Sequence, residues 1–121
     1  MTSLIDSALL GLIEQSATAV TILVDSLERA ELLRSRLTRV QVLRLLKTLA
    51  ESAGQVEPTA RRHLPELDWD GWDTLVPRLC GPAGDSLDEA LWFACESMVP
   101  ATLLWLQVYR HSQPEMFVMA P

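Results

Sequence analysis

Apolar residues recur at spacings of three and four from Ser3 to Val24, at Leu4, Ile5, Ala8, Leu9, Leu12, Ile13, Ala17, Val20, Leu23 and Val24. That period predicts an amphipathic helix of about six turns, with Thr2 or Ser3 as its cap. Asp25 or Ser26, with Glu28 just beyond, then opens a second helical piece, or a kinked continuation of the first, through LERAELLRSRL. Thr38 and Gln41 have the spacing of a capping box, and the run after them puts Val42, Leu45, Leu46, Leu49 and Ala53 on one face. Gly54 suits the left-handed position that closes such a helix.

Pro58 and Pro65 interrupt the period, so residues 55–68 read as a loop with one turn of helix at TARRHL. Asp68 caps a helix in which Trp69, Trp72, Val76 and Leu79 share a stripe, and Pro77 makes it short or bent. CGPAGD is a turn. Ser86 and Glu89 form a second capping box for a helix running to Val99. Pro100 either kinks that helix or, with Ser97 as cap, starts a last one. The tail carries Met116, Phe117, Val118 and Met119, an apolar load that should pack back on a neighbour or a dimer mate. With no alternating strand pattern and no repeat, the chain reads as all-α: a single domain over residues 1–121, an antiparallel helical bundle of about four to five helices.

Composition narrows the class. At 121 residues, 49% of them hydrophobic and 21% charged, there is apolar matter for one core. So small a domain leaves much of its apolar surface uncovered, so a homodimer is expected. The net charge of −6 argues against broad attraction to nucleic acid or an anionic membrane. A local exception exists at Arg29, Arg34, Arg36, Arg39, Arg44 and Lys47, with only Glu31 among them. A solvated face is favoured there over an RNA groove, because no aromatic residue is interleaved to stack bases. The N-terminal segment lacks a basic region and carries Asp6 and Glu14, unlike a secretory signal, and no uncharged apolar run reaches the ~20 residues of a membrane span. Cytoplasmic localisation with no membrane partner is the expectation.

Chemistry is sparse. Cys80 and Cys95 have neither the number nor the spacing of a disulfide framework or a zinc site and are expected as reduced, partly buried thiols. Asp68, Asp70 and Asp73 fall in the first turns of a helix, where carboxylates interact well with the macrodipole, so capping is favoured over metal binding. His63 and His111 each adjoin an arginine at a helix end and read as exposed side chains rather than general bases. No phosphate-cradling glycine loop and no activated nucleophile is present, and no cofactor is implied. Trp69, Trp72, Trp92 and Phe117, with Arg78, are the candidates for a partner or dimer interface.

The stretch LAESAGQVEPTARRHLPELDWDGW, continued by LDEALWFACESMVPATL, resembles the HepT-like branch of the HEPN superfamily. Ala50-Glu51-Ser52-Ala53, Pro65-Glu66-Leu67-Asp68-Trp69, Leu87-Asp88-Glu89-Ala90-Leu91-Trp92 and Val99-Pro100 fall in that family's order, over about Thr38 to Leu104. The resemblance implies a dimeric antiparallel bundle of the nucleotidyltransferase-substrate-binding-subunit type. It also implies a toxin role, as a metal-independent ribonuclease paired with a nucleotidyltransferase antitoxin. The family's chemistry needs an Arg, a His about five residues on and usually a Tyr two beyond. Counting from Trp69 or Trp92 puts Val76, Gly81 and Ala83 at those positions. Taking Arg78 as the arginine puts Ala83 and Asp85 at the other two. Loss of a general base alone removes about two to four orders of magnitude in rate. The expectation is therefore a catalytically degenerate interaction module. The alternatives are a ribonuclease in which Arg78 works with His63 or His111 from elsewhere, the one reading in which RNA is a partner, and an unrelated helical interaction protein.

Overall fold

Ser3 opens the first helix, its Oγ accepting the Asp6 N–H at 3.0 Å, and the apolar period carries α1 from Leu4 to Val24. The computed structural model describes residues 3–118, so the candidate cap Thr2 and the tail residue Met119 lie outside the described residues. After α1 the chain turns through Ser26 at φ 64°, and α2 spans Arg29–Arg34. Its cap is not Asp25 or Ser26: the Glu31 carboxylate accepts the Glu28 N–H at 3.0 Å, which starts the helix later. Ser35 separates α2 from α3, Arg36–Gln55, and its Oγ donates to Thr38 Oγ1 at 3.0 Å. Thr38 and Gln41 thus fall inside α3 rather than at its start. Gly54 is helical too, one residue before the last, and Val56 ends the helix in extended geometry. The turn of helix expected at TARRHL within residues 55–68 is α4, Pro58–His63, which starts one residue earlier because a first-turn proline forfeits no hydrogen bond.

Asp68 caps α5, Trp69–Leu79, by accepting the Gly71 N–H at 2.9 Å, as the sequence predicts. Pro77 sits in its last turn, and the helix ends two residues later, at Leu79. The turn to α6, Asp85–Phe93, depends on Gly84 at φ 148°, a conformation side chains rarely allow, and places the helix start one residue ahead of Ser86. Ser86 and Glu89 therefore lie within α6 and do not cap it. Pro100 neither stops nor restarts the chain. Residues Ala94–Met98 widen into a π turn, the Val99 N–H reaching the Ala94 carbonyl, and α7 follows from Val99 to Ser112. An α turn would press the Pro100 ring against the carbonyl four residues back; the wider turn relieves this, and Asp85–Ser112 runs as one 28-residue rod. A 3₁₀ turn over Pro114–Phe117 then folds back, burying Met116. The buried Ser7 hydroxyl donates to the Met116 carbonyl at 2.9 Å, so Met116 packs on its own bundle, Phe117 is half-buried and Val118 stays exposed.

Cross-helix bonds fix the directions. The Glu57 N–H donates to Asp6 Oδ1 at 3.2 Å, which sets the end of α3 beside the start of α1. Arg61 bonds Asp73, joining that same end to the start of α5, while Arg39 meets Asp88 at 2.8 Å at the other end. Arg110 pairs with Glu14 at the middle of α1, and the Ser7–Met116 bond returns the chain just beyond α7 to the start of α1. The rods α1, α3, α5 and α6–α7 therefore alternate in direction, an all-α antiparallel bundle. Its core is built from Leu10, Ile13, Val20, Leu46, Leu49, Trp72, Leu79, Leu91 and Leu106 with their neighbours. By length and composition both α1 and the Asp85–Ser112 rod are apolar enough to cross a membrane, at mean hydropathies of 1.5 and 1.2. Core helices of a bundle pass the same test, and 33% and 39% of these two are buried inside it.

Candidate functional site

The resemblance directs attention to the helix-turn-helix made by α5, residues 80–84 and α6. Arg78, in the last turn of α5, is exposed and among the described residues reaches only the Ser86 carbonyl, at 3.4 Å. Val76 is half-buried against the core, Gly81 is half-buried in the turn, and Ala83 and Asp85 are exposed. The start of α6 carries Asp85 and Asp88 in its first turn. Those carboxylates suit the helix N-terminus and oppose a phosphodiester approaching Arg78. No imidazole reaches the turn from its own protomer. His63 and His111 are exposed at the far end of the bundle; His63 Nδ1 bonds the Thr59 carbonyl at 2.9 Å, and the His63 carbonyl accepts from Gln113 at 2.8 Å. The start of α6 and the end of α7 are opposite ends of a 28-residue rod, about 40 Å apart at the rise of an α-helix. The fold thus brings the two histidines to one end and leaves Arg78 at the other.

The tryptophans divide differently from the sequence expectation. Trp69 and Trp72 are core rather than interface: both are buried, with Trp69 Nε1–H donating to the Leu64 carbonyl at 2.9 Å and Trp72 Nε1–H to Thr102 Oγ1 at 3.1 Å. Trp92 and Phe117 remain half-buried at the surface, Phe117 beneath the Arg110 guanidinium at 4.7 Å. No protein-family model, curated protein or solved structure matches this chain.

A cavity of about 250 Å³ at the end that holds His63 is lined by Asp6, Glu57, Thr59 and Glu115 among others. The buried Asp6 sits in the first turn of α1 and Glu57 at the cap position of α4, so these carboxylates already complement helix N-termini. Among the described residues no three His, Cys, Asp or Glu side chains converge as a metal site.

Sequence reasoning missed two groups that organise this region, Arg61 and Tyr109. Arg61 donates to the Ala53 carbonyl at 2.7 Å and to both Asp73 oxygens at 3.0 and 3.2 Å, with its guanidinium 5.1 Å from the Trp69 ring centroid. Buried Tyr109 donates its O–H to the Glu66 carboxylate and accepts the Glu66 N–H at 2.9 Å, holding the 64–68 segment against α7. The only sequence signal was their type: a lone tyrosine on an otherwise apolar helical face, and an arginine soon after a helix end.

Burial, reinforced by the Glu66 carboxylate, pushes the Tyr109 phenol up to about 12, and burial alone pushes the Cys95 thiol to about 12. Cys80, by contrast, is exposed, so only one of the two thiols fits the expectation of partial burial. Both raised groups favour the protonated folded state. Their contribution is complete below the unfolded values, near 9 for the thiol and 10 for the phenol, and is lost as pH rises toward 12. Stability in urea should therefore be level from pH 7 to about 8.5 and fall progressively above pH 9. Tyr109→Phe should flatten the fall above pH 10 and Cys95→Ala the part that begins near pH 9; a flat profile in the parent protein would refute the assignment.

Proposed function

We propose that the chain is a catalytically degenerate HepT-like bundle of the HEPN superfamily. It acts in the cytoplasm as a dimeric protein-interaction module, with a nucleotidyltransferase-type protein as partner in a toxin-antitoxin-like system. The observation that carries this reading is the α5–α6 turn, where the family's frame of motifs surrounds a lone Arg78 and both histidines lie at the opposite end of the protomer. The alternating four-rod bundle supports it by agreeing with the architecture the resemblance implies. Exposed apolar side chains support self-association: Ile5, Leu12 and Ile22 on α1, and Leu104 and Val108 on α7, are surface that a monomer leaves in water.

Purified protein incubated with total RNA should leave it intact, and sedimentation should find a dimer. Of the paired variants Ile5→Glu with Leu12→Glu and Leu104→Glu with Val108→Glu, at least one should sediment as a folded monomer. Co-expression with a minimal nucleotidyltransferase, taken from the adjacent gene where that gene encodes one, should yield a stoichiometric complex. RNA cleavage that disappears in Arg78→Ala would instead favour a ribonuclease whose histidine comes from the second subunit. A stable monomer with no such complex would leave an unrelated helical interaction protein.

A further inference from the structure

Residues 29–47 hold six bases against one acid, whereas the remainder of the chain holds four bases against fifteen acids. Of the six, Arg39 pairs with Asp88, but among the described residues Arg29, Arg34, Arg36, Arg44 and Lys47 form no ion pair. A solvated basic face would account for the arginines alone. It does not account for the apolar side chains among them: Leu37 is 71% exposed and Val40 46%. Leu37, Val40, Arg44 and Lys47 are spaced to share one stripe of α3, and Val40, Leu43, Arg44 and Lys47 line an open groove of about 290 Å³.

We propose that this outer face of α3 docks an acidic amphipathic helix of a partner protein. Apolar side chains of that helix seat on Leu37, Val40 and Leu43, and its flanking carboxylates pair with Arg36, Arg44 and Lys47. The inference is independent of the HEPN resemblance, because it rests on the charge and exposure of α3 alone. Charge complementarity selects an acid, and the apolar centre of the stripe selects a protein over a nucleic acid, which would want aromatic side chains to stack its bases. A helix about 10 Å wide matches the width of this stripe, whereas the net charge of −6 opposes approach to an extended anionic surface.

The test uses the full chain, isotopically labelled, and a synthetic helical peptide about five turns long with leucines at three- and four-residue spacing and glutamates flanking them. A scrambled peptide of the same composition is the control. The helical peptide should shift amide resonances confined to residues 36–48 and bind at least about tenfold more tightly than the scrambled one. Leu37→Glu with Val40→Glu, and separately Arg44→Glu with Lys47→Glu, should each weaken binding by about tenfold or more. Because Leu37, Val40 and Arg44 are exposed and Lys47 is only half-buried, the melting temperatures of these variants should stay near the parent value. No binding at millimolar peptide, equal binding of the scrambled peptide, or shifts centred elsewhere would overturn the proposal. So would tighter binding at this face by a uridine oligonucleotide or by phosphatidylglycerol vesicles.

Discussion

Trp72→Ala should bring the protein close to unfolding. The indole is 2% exposed and fills the space between α5 and α7, and truncating a fully buried tryptophan typically costs about 3–5 kcal/mol. Against the ~5–15 kcal/mol that domains of this kind possess, that is about a fifth of the total at the least and all of it at the most, and the thermal midpoint should fall by about 10–25 °C. Part of the cost is polar. Trp72→Phe keeps most of the ring but takes away the donor that Thr102 Oγ1 accepts, and Thr102→Val strands the indole N–H where water cannot replace the lost partner. Each single change should cost about 1–3 kcal/mol, and the double variant should cost less than their sum by about 1 kcal/mol. Urea unfolding of the four proteins gives the cycle directly. Strictly additive singles would mean that the Trp72–Thr102 bond is not a distinct contribution and that packing alone holds the indole.

Trp72 also illustrates what the chain discloses before it folds. Its stripe with Trp69, Val76 and Leu79 identified a buried face, and the same reasoning located the long helices, because only a helix gathers a three-to-four period over many residues onto one side. The period does not say what covers the face. Trp69 and Trp72 could equally have met a second subunit, and only their indole bonds to Leu64 and Thr102 place them inside one protomer. Helix starts were less legible because capping residues are abundant here: Asp25, Ser26, Glu28, Ser35 and Thr38 all qualify, and packing decides which is used. Pro58 and Pro100 have two local solutions each, a first-turn proline or a break, a kink or a widened turn. At the candidate site the sequence disclosed the absence of a histidine near Arg78. That His63 and His111 converge at the opposite end of the bundle needed the direction of every rod.

The second large effect belongs to Arg61, and its variants should rank in an order that distinguishes a helix-end clamp from an ordinary salt bridge. No basic residue occupies the last turn of α3, so the negative end of that helix receives its cation from Arg61 of the next element, which shares the Ala53 carbonyl with the Val56 N–H. The guanidinium does three things at once: it bonds the Ala53 carbonyl, spans both oxygens of Asp73 and covers the Trp69 ring. A planar fork can do this, whereas the point charge of a lysine can satisfy one partner at a time. The Asp73 carboxylate is 43% exposed, so solvent screens its share heavily. Losing the charge-assisted carbonyl bond together with the ring contact should make Arg61→Ala cost about 2–3 kcal/mol. Arg61→Lys should recover less than half of that, and Asp73→Asn should cost under about 1 kcal/mol. Hydrogen exchange should show the loss first in the last turn of α3 and in α4, since the clamp fastens those to α5. If Asp73→Asn proved as damaging as Arg61→Ala, the ion pair rather than the hold on the α3 terminus would be what secures this end of the bundle.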